Sequence, residues 1–230
     1  MKSLNWIVFS LAIVLAISLR GIPDIITASA ALNENKKVIV IDPGHGGEDG
    51  GACGRSGALE KDINLDISLV LAELFEDSGY RVILTRDGDY SIGDQSISTI
   101  AGRKASDIKK RVDICNSSGA ELVLSIHQNF FEQSQYYGTQ VFYGANEGSR
   151  NLAESIQLRV REDMQPENSR EVKPGEESIY LLRNTVPPSV IVECGFLSNA
   201  EEEKRLSDYD YQRKLAYSIF LGAVEYLHKY

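Results

Sequence analysis

Residues 38–45 of the 230-residue chain read VIVIDPGH, an apolar β-branched run that stops at Asp-Pro-Gly and leads directly into a histidine. The apolar residues predict a short buried strand, and the Asp-Pro-Gly that follows predicts a loop. Residues 121–127, ELVLSIH, repeat this arrangement, because an apolar strand again runs into a histidine. Residues 190–193, VIVE, end in a glutamate instead. Three segments therefore predict a buried strand with a chemically capable side chain at its carboxyl end.

Amphipathic segments separate these strands and indicate helices between them. Helices are predicted over 63–75, 104–118, 149–164 and 209–228, and further strands over 81–85, over 139–143 at a sheet edge, and over 179–182. Strands that alternate with helices are typical of an α/β fold, so we expect a three-layer sandwich with a mostly parallel central sheet flanked by helices. Ligands bind beyond the carboxyl ends of the strands in such sheets. His45, His127 and Glu193 are therefore expected at one edge.

Composition limits the class of protein. Apolar residues make up 43% and charged residues 25% of the chain, which is typical of a globular domain with one sizeable core. The formal net charge of −9 argues against a nucleic-acid partner, because such binding relies on clustered Lys and Arg. Cys53, Cys115 and Cys194 are widely spaced and form no C-x-x-C pair, so neither a disulfide framework nor a structural zinc knuckle is expected.

The first 31 residues have the pattern of an export segment. Lys2 precedes the apolar run 4–19, which is shorter than the roughly 20 residues of a membrane span. Small residues at 28–30 match a signal-peptide cleavage region, but they lie far from the apolar run. We predict that residues 1–31 are a signal peptide or an N-terminal membrane anchor, and that 32–230 form one catalytic domain. Either form of the segment places the rest of the chain across a membrane.

The predicted sheet edge carries the residue types of a hydrolytic zinc site. Zinc in hydrolases takes three protein ligands from histidine and carboxylate and keeps a fourth position for water. His45 and His127 are two candidate ligands, and a nearby acid must supply the third. Glu60, at the start of a predicted helix, is one candidate, although an acid in a first helical turn also stabilises the helix dipole without any metal. The residues alone do not choose among the candidate acids, which are Glu48, Asp49, Glu60 and Asp62.

A hydrolase of this kind also needs a base. Glu193 enters the end of a buried strand, where a carboxylate is unfavourable unless a cation or proton accompanies it, so we predict a catalytic role for it. Arg183 is a candidate for orienting a carboxylate or carbonyl of the substrate. No G-x-S-x-G or phosphate-loop motif occurs in the chain, which argues against a serine hydrolase or a nucleotide site.

Four segments in fixed order carry a family resemblance: IDPGHGGEDGGA (41–52), LEKDINLDIS (59–68), SIHQN (125–129) and IVECGFLSN (191–199). They resemble the type 3 group of zinc-dependent N-acetylmuramoyl-L-alanine amidases, and the resemblance extends from about residue 37 to the C-terminus. It implies one Zn²⁺ ion held by His45, Glu60 and His127, with Glu193 as the catalytic glutamate. Asn129, at the end of the third segment, joins Arg183 as a candidate substrate-binding residue.

Two residues depart from the pattern of the family. Gln128 stands where a small residue is usual, and Cys194 stands where an apolar residue is common. Neither position supplies an implied ligand, so the departures are expected to reshape the wall of the site and to leave its ligands in place.

The implied reaction is hydrolysis of the amide between N-acetylmuramic acid and L-alanine in peptidoglycan. Small size, one N-terminal hydrophobic segment and no wall-binding repeats resemble the sporulation and germination branch, which acts on spore cortex. That branch removes stem peptides so that a muramic acid deacetylase can complete muramic-δ-lactam. The resemblance therefore implies a protein located in the intermembrane space or cortex region of the forming spore.

Other hypotheses stay open at this point. A zinc exopeptidase has the same style of site, and a non-catalytic, membrane-tethered peptidoglycan-binding protein is an alternative from another class. The presence of both histidines and both glutamates argues against the latter. The polar segments 86–102 and 167–177 are predicted to be long loops, and we hypothesise that an activating cell-envelope protein orders one of them and raises the zinc affinity.

Overall fold

The computed structural model describes residues 36–175 and 179–230, and the predicted export segment, residues 1–31, lies outside the described residues. Within the described ranges, no helix is both long enough and apolar enough to cross a membrane. The described chain contains six strands: β1 (Val38–Pro43), β2 (Arg81–Leu84), β3 (Leu122–Asn129), β4 (Gln140–Tyr143), β5 (Lys173–Pro174) and β6 (Ser189–Phe196).

These strands form one sheet in the order β2-β1-β3-β6-β4-β5. Only the pairing of β4 with β6 is antiparallel, and the other adjacent strands are parallel. The strand residues alternate between two apolar faces, as the period of a strand requires. Ile39 and Ile41, for example, belong to the main core, whereas Val40 packs with Cys115 and Val123 on the other face.

Helices cover both faces of the sheet. They are α1 (Glu60–Asp77), α2 (Ile100–Ser117), α3 (Ser149–Met164), α4 (Tyr180–Asn184), α5 (Ala200–Leu206) and α6 (Tyr209–Lys229). Buried residues of α1, α3 and α6 pack together on the face that contains the main core. Residues of α2 and α4 form smaller clusters with the other face. The expected three-layer α/β sandwich with a mostly parallel sheet is confirmed.

The structure corrects two local predictions and contains one helix that was not predicted. Residues 179–182 were expected to form a strand, but Leu181 and Leu182 are buried in the short helix α4. A run of four apolar and aromatic residues carries no readable period, so a strand and a short helix are hard to distinguish. The strand at 139–143 is not at the edge, since β5 pairs with β4 on its outer side. Helix α5 was not predicted, although Asn199 accepts hydrogen bonds from the Glu201 and Glu202 amides as its N-cap.

Candidate metal centre

Four side chains meet where the central strands end. His45 lies two residues beyond β1, and Glu60 is the first residue of α1. His127 and Glu193 are register partners in β3 and β6. Because β1, β3 and β6 lie side by side, with β3 parallel to both, their carboxyl ends meet at one edge of the sheet. The edge expected from the sequence is therefore present.

Glu60 lies between the two histidines. Its Oε1 is 3.2 Å from His45 Nε2 and 2.9 Å from His127 Nδ1. One ligand atom from each of the three residues lies within 4.8 Å of the other two. Ligands of a tetrahedral zinc ion, with bonds of about 2.0–2.1 Å, are roughly 3.3 Å apart. The group can therefore close around one metal ion with small shifts, and two histidines with one carboxylate match a hydrolytic zinc site.

The Glu60 carboxylate is held by the backbone around it. Its Oε2 accepts a hydrogen bond from the Ala52 amide at 2.8 Å, and its Oε1 accepts one from the Gln128 amide at 3.0 Å. Burial alone raises the pKa of Glu60, but hydrogen bonds and positive charge from His127 and His45 outweigh burial and hold this pKa well below its ordinary value. Glu60 is therefore a carboxylate, which is the form that binds a metal.

His45 is oriented by a second carboxylate. Its Nδ1 donates to Asp49 Oδ2 at 2.9 Å, which leaves Nε2 directed at Glu60. Such a carboxylate partner behind a ligating histidine fixes the ring and makes the ligand more basic. Burial alone lowers the pKa of His45, but the hydrogen bonds and charges of Asp49 and Glu60 outweigh burial and raise it to about 9.

The geometry also separates the competing acids. Asp49 contacts His45 and, through its other oxygen, Lys104 at 2.7 Å. Glu48 forms a two-point contact with Arg103, and Asp62 is exposed. Glu60 is the acid that the described structure groups with both histidines, as the family resemblance implied.

Two glycines leave the room that this cluster needs. A Cβ on Gly44 would lie 2.3 Å from the His127 ring, which is far inside van der Waals contact. A Cβ on Gly51 would lie 2.5 Å from Glu60 Oε2 and 2.7 Å from the His45 ring. Gly51 also has a φ of +67°, which glycine adopts without a steric penalty. The glycine-rich segment that precedes α1 is therefore a cradle for the three candidate ligands.

Two buried arginines fix the backbone that carries His45. Arg86 donates to the carbonyl oxygens of Pro43 and Gly44 at 3.0 and 2.9 Å. Arg111 donates to the carbonyl oxygens of Pro43 and His45, both at 2.6 Å. Three consecutive carbonyl groups, from the last residue of β1 to His45, thus receive charge-assisted hydrogen bonds, which are the stronger class. We call Arg86 and Arg111 the arginine clamp.

One arginine of the clamp, Arg111, pairs with a buried carboxylate beneath the site. Asp42 is buried and accepts hydrogen bonds from Arg111 Nη1 and Ser125 Oγ at 2.7 Å and from Thr85 Oγ1 at 2.6 Å. Burial alone raises the pKa of Asp42, but Arg111 and the two hydroxyls outweigh burial and lower it. Sequence reasoning missed this network. The one signal in the sequence was the position of Arg111 in the predicted helix 104–118, three residues after Ile108 and four before Cys115, at the spacing of one helix face.

Glu193 differs from every other acid at this edge. Its Oε2 atom is buried and has no hydrogen-bond partner among the described residues. Burial raises the pKa of Glu193, the Glu60 charge adds to that effect, and the two histidines oppose it, with a result of about 7. A carboxylate with one buried, unpaired oxygen is costly and is typical of a site that needs a proton acceptor.

The two candidate substrate-binding residues are not members of the ligand cluster. Asn129 ends β3, and its Oδ1 accepts the hydrogen bond of the next amide, that of Phe130. Arg183 is exposed in the last turn of α4, and the next carbonyl, of Asn184, binds Asn116 near the end of α2. That end of α2 leads into the start of β3, which is the opposite edge of the sheet. The structure does not group Arg183 with the histidines, and a substrate role for either residue stays a prediction.

A mostly parallel α/β sheet with this ligand cluster and carboxylate at its carboxyl edge has the architecture of a metal-dependent hydrolase. Residues 39–225 match the family described as N-acetylmuramoyl-L-alanine amidase, and the chain belongs to this family. It is an enzyme with N-acetylmuramoyl-L-alanine amidase activity, and peptidoglycan is its substrate.

Individual relatives agree with the family. The chain is 37% identical over 191 residues to the germination-specific N-acetylmuramoyl-L-alanine amidase of Bacillus subtilis (strain 168), a match that covers 83% of this chain and 79% of that protein. The solved structure of the CwlD amidase from Clostridioides difficile, in complex with the GerS lipoprotein, is 44% identical, with a TM-score of 0.81 over 84% of this chain and 99% of that one. The catalytic domain of CwlV from Bacillus (Paenibacillus) polymyxa is 31% identical, with a TM-score of 0.70 and coverage of 84% and 98%.

Proposed function

We propose that this enzyme is a zinc-dependent amidase that removes stem peptides from spore cortex peptidoglycan. The observation that carries the mechanism is the unpartnered Glu193 Oε2 beside a cluster of two histidines and a glutamate. A non-catalytic binding protein has no need for a carboxylate with a buried oxygen that lacks a partner, since such a group destabilises the fold. A hydrolase needs it as a proton acceptor.

The ligand cluster fits Zn²⁺ by its donor set and spacing. His45, Glu60 and His127 would hold the ion, which supplies Lewis acidity and lowers the pKa of a bound water towards about 7. Asp49 keeps the His45 ring turned towards the ion, and the arginine clamp fixes the backbone on which His45 lies. The protein contributes a rigid arrangement whose parts are in place before the substrate arrives.

Glu193 transfers the proton. Its carboxylate accepts a proton at Oε2 while water adds to the lactyl carbonyl carbon, and it then returns this proton to the L-alanine nitrogen as the C–N bond breaks. In the metal-free chain, burial raises the pKa of Glu193 to about 7, and a group with such a pKa can gain and lose a proton near neutral pH. A carboxylate with an ordinary pKa would be a weaker base.

The names of two relatives support a proposal for the biological setting. The B. subtilis relative is named germination-specific, and the C. difficile CwlD amidase was solved with a lipoprotein. We infer that this chain is exported by its N-terminal segment, acts at the cortex of the forming spore, and binds a cell-envelope protein that raises its zinc affinity. A deacetylase that acts on the stripped muramic acid is the expected next enzyme.

One experiment tests the reaction. Purified cortex peptidoglycan is digested with the wild-type protein, with and without a zinc chelator, and the products are identified by mass spectrometry. We expect intact stem peptides with a free L-alanine amine, and their loss with the chelator. Release of single terminal amino acids would point to an exopeptidase, and zinc binding without any product would leave a binding protein. Cortex and vegetative wall, digested in parallel, test the preference for cortex.

A further inference from the structure

Four exposed aromatic side chains follow β3 closely. Phe130, Phe131, Tyr136 and Tyr137 lie in the segment 130–138, which we call the aromatic loop, and each is between 40% and 51% exposed. Single exposed aromatic residues are common, but four within eight positions form a patch of the kind that marks a binding surface.

The aromatic loop lies at the edge of the candidate metal centre. Phe130 is three residues beyond His127, so their Cα atoms are at most roughly 10 Å apart. The Phe131 ring lies 5.5 Å from the ring of Phe196, which is three residues beyond Glu193. The patch therefore directly follows the strand that carries His127 and packs against the end of the strand that carries Glu193.

The backbone of the aromatic loop is held in place. The Phe131 amide donates to Ser198 Oγ at 3.2 Å, and the Tyr136 carbonyl accepts from Asn199 Nδ2 at 3.2 Å. The Gly138 amide donates to the buried Glu202 carboxylate at 3.0 Å. These contacts hold the backbone near both ends of the aromatic loop, while the rings are exposed to solvent. Fixed aromatic rings bind a ligand with a small loss of conformational entropy.

Polar groups surround the rings. Four polar residues, 132–135, separate the two aromatic pairs, and Arg170 lies with its guanidinium carbon 4.4 Å from the centre of the Phe196 ring. Tyr136, Tyr137 and Arg170 line a cavity of about 210 Å³ together with Gln135, Asn168 and Ser169. A sugar needs this combination, since the C–H face of a pyranose packs on an aromatic face and its hydroxyls need hydrogen-bond partners.

We propose that the aromatic loop is a binding site for the glycan strand, and that it holds the sugars next to the muramic acid whose amide is cleaved. This inference rests on the proposed function, because a muramoyl group at the metal centre brings the neighbouring sugars to the edge of the site. The amide and hydroxyl groups that line the cavity beside the rings suit a carbohydrate, whose hydroxyls need hydrogen-bond partners next to the apolar face of the sugar.

The test uses Phe130→Ala and Tyr137→Ala in the full-length protein. These two rings form no ring–ring contact within the described structure, unlike Phe131 and Tyr136, so their loss leaves the support of the loop intact. Tyr217→Ala is the matched control, because Tyr217 on α6 is as exposed as Tyr137. Phe130→Tyr keeps a ring and is the conservative variant. Circular dichroism and zinc content verify that each variant is folded and loaded.

Two measurements are compared. The first is the affinity for glycan strands freed of stem peptides, measured by calorimetry with zinc chelated so that no hydrolysis is needed. The second is kcat/KM on polymeric peptidoglycan and on a muramoyl peptide with a single sugar. We expect each alanine variant to lose about tenfold in glycan affinity, with a larger fall of kcat/KM on the polymer than on the single-sugar substrate. Phe130→Tyr should recover most of both, and Tyr217→Ala should match wild type.

The outcomes separate this inference from the proposed function. Glycan binding that depends on the rings, in a protein without hydrolytic activity, would refute the amidase mechanism and support the glycan site. The glycan site would be overturned if the wild-type protein hydrolyses peptidoglycan normally and the alanine variants lose kcat/KM equally on both substrates. It would also be overturned if they lose none on either substrate. Unchanged glycan affinity with loss of binding to a protein partner or to a second copy would also overturn it.

Discussion

His45 is held in a backbone conformation that side-chain-bearing residues rarely adopt. Its φ is +62°, and no other non-glycine residue in the described ranges has a positive φ. Such a conformation costs about 1–3 kcal/mol and persists only where the surroundings fix it. The surroundings do so here, because Asp49 binds the His45 ring and Arg111 binds the His45 carbonyl. The strain directs the imidazole at Glu60, and a relaxed backbone would direct it elsewhere.

Gly44→Ala tests how tightly the cradle fits. The new methyl group would lie 2.3 Å from the His127 ring, so we expect the ring to shift and the zinc affinity to fall at least tenfold. Zinc affinity is measured by competition with a chromophoric chelator. Gly50→Ala is the control, since its Cβ would meet only Leu59 at 3.7 Å, and it should bind zinc like wild type. Equal zinc affinity in the two variants would show that the cluster does not depend on the space beside Gly44.

Glu193→Gln separates stability from activity. The folded chain holds the Glu193 proton up to a pH of about 7, whereas the ordinary pKa is 4.5. The folded state therefore binds more protons than the unfolded state between these values, so stability falls as pH rises through this window. We expect the metal-free variant to be about 1–3 kcal/mol more stable than wild type at pH 8, and similar at pH 4.

The same variant should keep zinc and lose hydrolysis, because an amide accepts no proton from water. Urea denaturation at the two pH values measures stability, and peptide release measures activity. A variant that is less stable than wild type at pH 8, or one that hydrolyses peptidoglycan normally, would refute the role of Glu193.

At the scale of elements, the site depends on helices as much as on the sheet. Helix α1 begins with Glu60, and α2 contributes Arg111 from the other face. Arg111 reaches across to the loop after β1 and pairs with the buried Asp42 at 2.7 Å. The position of α2 is therefore linked to the backbone position of a candidate metal ligand.

Arg111→Met should be strongly destabilising. It leaves Asp42 buried without its cation, and breaking a buried pair in this way costs about 3–5 kcal/mol. Lys110→Met is the control, because Lys110 is exposed on the same helix, and its effect should be within about 0.5 kcal/mol. Chemical denaturation of the metal-free proteins measures both. A cost near that of the control would show that the arginine clamp does not hold the loop.

The predictability of the elements follows from their length and surroundings. β1, β3 and β6 were predicted because their apolar runs end at turn or polar residues, and the long helices because their apolar period is clear. The structure makes 180–184 a helix because Leu181 and Leu182 are needed on the α2 side of the sheet, which is a tertiary requirement. β5 has two residues and exists only because β4 lies beside it.

The residues of the candidate site also differ in whether local sequence can predict them. The apolar strands alone predict that His45, His127 and Glu193 lie at one edge, because parallel strands have their carboxyl ends at the same edge of a sheet. Glu60 could be chosen as the third ligand only from the family motif, since several neighbouring acids were equally good candidates by residue type and position. The arginine clamp was beyond reach, because its partners are backbone carbonyls about 42 to 68 residues away along the chain. Such contacts have no signature in local sequence.

At the scale of the whole molecule, metal binding and folding are coupled. Zinc that binds only the folded chain stabilises it by about 2.7 kcal/mol at 100 times the dissociation constant. For a domain of this size, we expect a rise in Tm of about 5–10 °C, measured by calorimetry. His127→Ala should show no such rise.

The coupling should depend on pH. His45 must lose its proton to bind zinc, and its pKa of about 9 in the metal-free protein means that protons compete below that pH. Zinc affinity should therefore increase by up to about tenfold per pH unit from pH 6 towards 9. Titrations in buffers of different ionisation enthalpy should show about one proton released at pH 7. A pH-independent affinity would mean that Asp49 and Glu60 do not hold a charged His45.

The two residues of β5 have a consequence for the behaviour of the enzyme in concentrated solution. An open flank of a sheet is a template on which a neighbouring chain can add its own strand, and fibres grow in this way. Pro174 has no backbone N–H to offer to a newcomer, and Lys173 brings a charge that an incoming strand would have to accommodate. Within the described part of the chain, these two residues therefore make the flank a poor template for polymerisation.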